Sequence, residues 1–279
     1  MHGTGTQADP FVPYIWDEVV EAVGTSAAYV SFPENGGEYD LNALYPTGVS
    51  TIRVRCTQIN GNGWNLKNLY SQGNPFSIIG THCTWIRLNI VDFLHEGSDF
   101  FKTNEEYYQD GKSTFNQCKF SGIMSSGRLF NRNSRHSDNV MRLETSSINV
   151  RADNDAVVFG GAMDSEYASS NYCNVVITGN SSNPFGENWM RNCLIQGSMS
   201  PSGNNGIKLT SGSTFNIITA NLSEATSESL LSCPNGLTIC NSDLLPAGTT
   251  IPAGMVGCTT EQLRNASYLA SLGFPIGVE

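Results

Sequence analysis

The sequence predicts an all-β fold: a single-stranded, right-handed parallel β-helix closed by short helices at its N- and C-terminal ends. Three observations predict it. A phrase recurs in which strand-formers, Asn, Cys or Val, and a closing Gly follow one another: Phe115-Asn116-Gln117-Cys118-Lys119-Phe120-Ser121-Gly122, then Tyr172 to Gly179, then Met190 to Gly197. Looser copies are Ile52 to Gly61, Trp85 to Asp92, Phe215 to Leu222 and Leu237 to Leu245. Short strands that recur with polar turns mark a solenoid whose coils stack on one another. The 28 Gly and 28 Asn residues supply turn positions, where positive φ or a side chain bonded to the backbone is needed. Only 14% of residues are charged, against roughly a quarter in ordinary domains, and Ser, Thr and Asn stand in their place.

Taken in order, residues 1–13 read as an extended lead-in punctuated by Gly3, Gly5, Pro10 and Pro13. Ile15 to Val23 carries the first helical pattern, with Ile15, Val19, Val20 and Val23 on one face, Asp17 and Glu18 in the first turn, and Gly24 as a stop. Tyr29 to Phe32 is a short strand before the turn Pro33–Gly37. From Ile52 to Leu245 strands dominate. Coil lengths vary: 57 residues separate Gly122 from Gly179, but only 18 separate Gly179 from Gly197. That spread excludes a strict hexapeptide repeat and suits a β-helix whose loops take insertions. A second helix follows Thr259, where Thr259 to Gln262 has capping-box spacing; Leu263, Ala266, Leu269 and Ala270 share a face, and Gly273 and Pro275 end it. The expected organisation is a lead-in and capping helix over 1–50, the β-helix over 51–245, and a capping helix with tail over 246–279. Both helices are expected to cover the raw ends of the solenoid, where unpaired strands invite aggregation.

Composition narrows the function. A formal net charge of −10 with 15 scattered Lys and Arg argues against a nucleic-acid surface. No apolar run approaches the ~20 residues that span a membrane. The start of the chain lacks the basic and apolar segments of a signal peptide, so the expectation is synthesis in a cytoplasm without secretion. The eight cysteines form no Cys-x-x-Cys pair and have no His at ligand spacing, so no metal or other cofactor is expected. Cys56, Cys118 and Cys193 fall in the apolar slot of the repeat and read as small hydrophobes stacked inside; a disulfide framework is the alternative.

Catalytic candidates centre on Asp153 and Asp155, two apart in Arg151-Ala152-Asp153-Asn154-Asp155. On a strand both carboxylates would share a face, at a separation of roughly 5 to 9.5 Å suited to glycoside cleavage, with Arg151 as helper. The phrase is similar to the Asn-x-Asp segments of polygalacturonase-like enzymes, but the later Asp-Asp pair, Gly-His-Gly and Arg-Ile-Lys of that group are missing. The structural alternative is that Asp and Asn cap turns of the backbone. His136 beside Asp138, and Asp164, Glu166 and Tyr167 in a Gly-rich stretch, are weaker candidates. Trp16, Trp64, Trp85 and Trp189 are candidate sugar platforms, although Trp85 and Trp189 abut strand phrases and read rather as core. Phe100, Phe101, Tyr107 and Tyr108 fall in a charged insertion from Glu96 to Lys112 and read as a contact surface. Arg128, Arg132 and Arg135 form the densest basic cluster, either a solvated loop or a docking patch for an acidic partner.

Gly3-Thr4-Gly5-Thr6-Gln7-Ala8-Asp9-Pro10-Phe11, followed by Trp16-Asp17-Glu18-Val19, resembles the opening of right-handed β-helix proteins of Firmicute bacteria and their phages. Thr260-Glu261-Gln262-Leu263, with Tyr268-Leu269 and Leu272-Gly273-Phe274-Pro275-Ile276-Gly277, resembles the tail of the same group. The resemblance implies the pectate-lyase-like β-helix fold and a virion-associated role. The functional expectation is a non-enzymatic virion component (capsid decoration, fibre or tail part), homotrimeric, contacting other virion subunits and host surface polysaccharide. The rival is a polysaccharide lyase or hydrolase using Asp153 and Asp155.

Overall fold

The computed structural model describes residues 1–79, 82–104, 112–132, 140–161, 168–203, 206–227 and 229–275. It is a right-handed parallel β-helix of about 7 turns with short helices at its ends. Three faces repeat in each coil. One complete coil runs through His82–Ile86 on face 1, Asn89–His95 on face 2 and Asp99–Asn104 on face 3. The next returns to face 1 with Lys112–Asn116, then Lys119–Met124 and Arg128–Arg132. Among the described residues the strand pairs are parallel, for example Phe115 in register with Trp85 and Leu143, and the register slips once, between Phe120 and Gly122 against Asn89–His95. Strand Gly186–Arg191 pairs with both Val157–Gly161 and Ala168–Asn171, so faces 1 and 3 merge there into one sheet. The stacking runs from Tyr29–Ser31 to Met255–Cys258, and therefore extends beyond the 51–245 limits at both ends.

The recurring phrase spans more than one strand. Asn116, Gln117, Cys118 and Lys119 are the end of one strand, a sharp corner and the start of the next. The corner residue takes positive φ at Arg87, Gln117, Thr145, Tyr172, Asn192 and Phe215. Its successor turns inward, stacking Leu88, Cys118, Ser146, Cys173, Cys193 and Asn216 in one buried column. The closing glycines prove not to be turns: Gly122 and Gly197 lie inside the face 2 strands Lys119–Met124 and Leu194–Met199. At Gly197, φ is +109° and a Cβ would stand 1.9 Å from the Ile177 carbonyl oxygen, so glycine is needed for close approach of the coils.

Identical side chains stack along the axis. Phe76, Phe101, Phe130 and Phe159 occupy register positions on successive face 3 strands. Their rings lie nearly parallel, 5.1 Å apart at 16°, 5.6 Å at 6° and 6.1 Å at 18°. Each such pair contributes ~0.5–1.5 kcal/mol beyond the burial of its area. Phe100 and Phe101 are fully buried. They correct the expectation of an exposed contact loop, because residues 99–104 form a face 3 strand and both rings fill the interior. All eight cysteines are free and buried.

The N-terminal helix, Trp16–Gly24, buries Trp16, Val19, Ala22 and Val23 against the first coil. Ile15, expected on the inner face, is 57% exposed and precedes the helix, while Trp16 takes the inward place. The C-terminal segment has the predicted capping box, with Thr259 accepting from the Gln262 N–H and the Gln262 side chain accepting from the Thr259 N–H. It then breaks into two short helices, Thr260–Leu263 and Ala266–Ser271, because Asn265 caps a new start. Leu263, Tyr268, Leu269, Leu272 and Phe274 pack on Ile239, Val256 and Cys258, forming a second cluster apart from the main core. These helices thus clasp the side of the last coils and leave the end to others. Leu245 and Ile251, from the segment joining the last two strands, pack on the main core beside Met255. No helix is long and apolar enough to cross a membrane among the described residues.

Candidate functional site

The corner between faces 2 and 3 gathers several of the charged candidates. Strand Ser147–Ala152 ends before Asp153, and Asn154 takes φ +53°. That left-handed residue breaks strand alternation, so Asp153 and Asp155 are not a same-face pair as the spacing suggests. Asp153 is spent on structure. Its Oδ1 accepts from the Asn180 N–H at 3.4 Å, and its Oδ2 accepts from Arg151 Nε at 2.7 Å. Asn154 likewise donates its side-chain amide to the Ser125 carbonyl, and its N–H to Asn180 Oδ1. These are the backbone-capping roles that Asx residues fill at turns.

Asp155 instead lines an open groove of about 400 Å³ together with Ser98, Asp99, Gly127, Arg128 and Val157. Three coils contribute, since Asp99, Arg128 and Val157 occupy one register column on face 3. The Asp99 carboxylate is nearly buried and meets Lys102 Nζ at 3.5 Å and the Arg128 guanidinium at 3.9 Å. Its N–H donates to Asn74 Oδ1, which also accepts from Ser98 Oγ at 2.6 Å. The Arg128 stem lies over Gly160, where a Cβ would come within 2.1 Å of it. The arrangement is a cation between two carboxylates in a polar, open channel. Asp99 and Ser98 were not legible as site residues, although the 29-residue spacing of Asp99, Arg128 and Val157 carries the signal.

The basic trio does not act as one patch. Arg128 lies at the groove, whereas Arg132 is buried at 6% exposure within the same strand. Arg135, Tyr107 and Tyr108 lie outside the described residues, as do His136, Asp138, Asp164, Glu166 and Tyr167. Trp85 is core, as expected, while Trp16 proves to be core instead of a platform and Trp189, expected in the core, does not join it. Trp64 is partly buried and donates Nε1–H to the Pro33 carbonyl. Trp189 faces outward on face 1, with the Arg191 guanidinium 4.1 Å from its ring centre.

Inside the coils, Ser71 Oγ and His95 Nδ1 are 2.8 Å apart and both residues are fully buried. Burial lowers the His95 pKa to about 4, outweighing the opposite pull of Asp99 and Glu96. The pair is sealed among Phe93 and Phe100, so no substrate reaches it. The buried thiols of Cys118 and Cys83 are likewise unsuited to nucleophilic work. Burial pushes Cys118 up to about 12, and holds Cys83 well above the usual thiol range beside Cys56. Among the described residues, no group of three His, Cys, Asp or Glu side chains is placed to hold a metal ion. A second concavity, about 480 Å³, lies near the C-terminal end and is lined by Thr226, Ser229, Leu230, Leu231, Pro246 and Thr249 among others.

No family model, no curated protein and no solved structure matches this chain. Its chemistry is therefore read from its own residues.

Proposed function

We propose that the protein is a non-enzymatic structural solenoid, a virion component such as a capsid decoration, fibre or tail part, assembled as a homo-oligomer and presenting polar faces to glycans. One observation carries this reading: the carboxylates that the repeat brings together are consumed in holding coils. Asp153 caps the next coil and pairs with Arg151, and Asp99 is shared between Lys102 and Arg128. A stacked aromatic column, with few charges, suits a stiff rod whose stability grows coil by coil.

A second reading, cleavage of acidic polysaccharide, keeps one specific observation in its favour. Asp155 and Asp99 flank Arg128 around an open channel, so an enzyme on this scaffold would use that set, not Asp153. Both readings meet the same experiment. The full chain is incubated with a panel of acidic polysaccharides, new reducing or unsaturated ends are measured, and the native mass is determined in solution. The expected result is intact polymer and an oligomeric mass. Cleavage that disappears in Asp155→Asn would replace the structural reading by the enzymatic one, and a stable monomer would count against a virion part.

A further inference from the structure

Carboxylates outnumber cations 25 to 15 in this chain, yet face 1 reverses the balance. Among the described residues its outward side chains and its corner carry Arg87, Lys112, Arg142 and Arg191 against Glu144, which accepts from Asn171 Nδ2 at 2.8 Å, while Glu187, on the strand that carries Arg191, is paired with Lys208 at 2.9 Å. The cations bear on His82, at the edge of this face: its pKa is lowered first by burial, then by Lys112 and Arg142. Successive coils of a parallel sheet lie ~4.8 Å apart, and the cations are spread obliquely over several coils: Lys112 is in register with Val140, Arg142 with Ser169 and Trp189, and Arg191 with Asn171 and Glu144.

The same face carries the outward aromatics. Trp189 sits beside Ser169 in register, and the next coil offers Gly212, where a Cβ would stand 2.5 Å from the indole Nε1. Arg191 lies over the indole. Tyr172, at the adjoining corner, is 65% exposed and holds φ +52°. The left-handed backbone is that of every corner in the stack; what distinguishes Tyr172 is a large aromatic ring left in solvent. Trp, Tyr and Arg are also the side chains that dominate binding surfaces.

We propose that face 1, centred on Tyr172, Trp189 and Arg191, binds an acidic polysaccharide. Sugar rings lie against the aromatic side chains, and their carboxylate or sulfate groups meet Arg191, Arg142 and Lys112. Charge complementarity selects an anionic polymer. The spacing of the cations selects a glycan over a nucleic acid, because Asn, Gln and Thr fill the positions between them. Those groups suit hydroxyls, whereas a phosphate backbone calls for denser Lys and Arg. The inference rests on the reading of the protein as a binder and not an enzyme.

Calorimetric titration of the full chain with polygalacturonate and with heparin, in low salt, tests it. Arg191→Glu and Tyr172→Ala are compared with Arg151→Glu, which makes the same charge change as Arg191→Glu but on face 2. Binding to one or both polymers is expected, weakened about tenfold or more by Arg191→Glu and measurably by Tyr172→Ala, and unchanged by Arg151→Glu. Whichever polymer binds identifies carboxylate or sulfate as the recognised group. No binding to either polymer overturns the proposal. So does equal weakening by Arg151→Glu, or equally tight binding of single-stranded DNA that ignores Tyr172. Shortening of the polymer during titration would overturn the non-enzymatic reading alone, because the variants still report where it binds.

Discussion

At each corner between faces 1 and 2, one residue accepts left-handed backbone and the next turns inward, as apolar Leu88 in an early coil and as a hydrogen-bonding plug at Ser146, Cys193 and Asn216. Cys118 N–H donates to Ser146 Oγ, Cys173 N–H to Cys193 Sγ, and Cys193 N–H to Asn216 Oδ1, so each coil satisfies the corner of the one before. The thiols also point at carbonyl oxygens, Cys193 at those of Ser170 and Arg191. The apolar slot legible in the sequence is thus, in these coils, a hydrogen-bonding column. Cys193→Ser should therefore lower stability by less than ~1 kcal/mol. Cys193→Val should cost ~1–3 kcal/mol, because it orphans the buried Cys173 N–H. Urea unfolding of the two variants separates a polar slot from an apolar one, and equal effects would reject it. Thr145 is β-branched at φ +49°, a strained choice. Thr145→Asn should stabilise by ~0.5–1 kcal/mol, read as a raised urea midpoint. Gly197→Ala should destabilise by more than ~2 kcal/mol, since neither φ nor space admits a Cβ.

Among the elements, the helices show where periodicity suffices and where it fails. The capping box at Thr259 and the helix after Trp16 are written in local spacing, and both form. The break at Asn265, and the docking of the C-terminal pair on Ile239 and Val256, depend on an apolar patch that only the folded coils create. Truncation after Cys258 should leave the central coils folded, with far-UV circular dichroism retained. It should also expose that patch, read as dye binding and concentration-dependent association. Loss of the whole β-signal would show instead that the clasp holds the solenoid together. Strand Asp99–Asn104 teaches the converse: Lys102 and Asp99 make the segment look like a charged loop, but Asp99 is buried and paired with half-buried Lys102 while Phe100 and Phe101 fill the interior.

At the scale of the whole molecule, burial of His95 couples the solenoid to pH. The unfolded imidazole titrates near its ordinary 6.5, the folded one near 4. Stability from the neutral ring is complete above about 6.5 and is lost as pH falls towards 4, by up to ~3 kcal/mol, because the unfolded chain binds the proton first. Urea midpoints should fall between pH 7 and pH 4.5 in the native sequence and fall less in His95→Gln; parallel curves would remove His95 as the cause. The molecule's faces have separate characters in the same way: an acidic chain carries one cationic, aromatic face and a mixed charged groove two corners away.

By itself the sequence determined the parallel solenoid and its stacked interior, but it put the turns at closing glycines that lie inside strands, and left the true corners unmarked. The solenoid and its interior follow from local chemistry repeated along the chain: β-branched and aromatic runs, and a small buried side chain. Which side chains meet was decided only by the tertiary structure, because coil length varies and register is set by stacking. Asp153 and Asp155 part company across one left-handed residue, while Asp99, Arg128 and Asp155, far apart in the chain, converge on one groove.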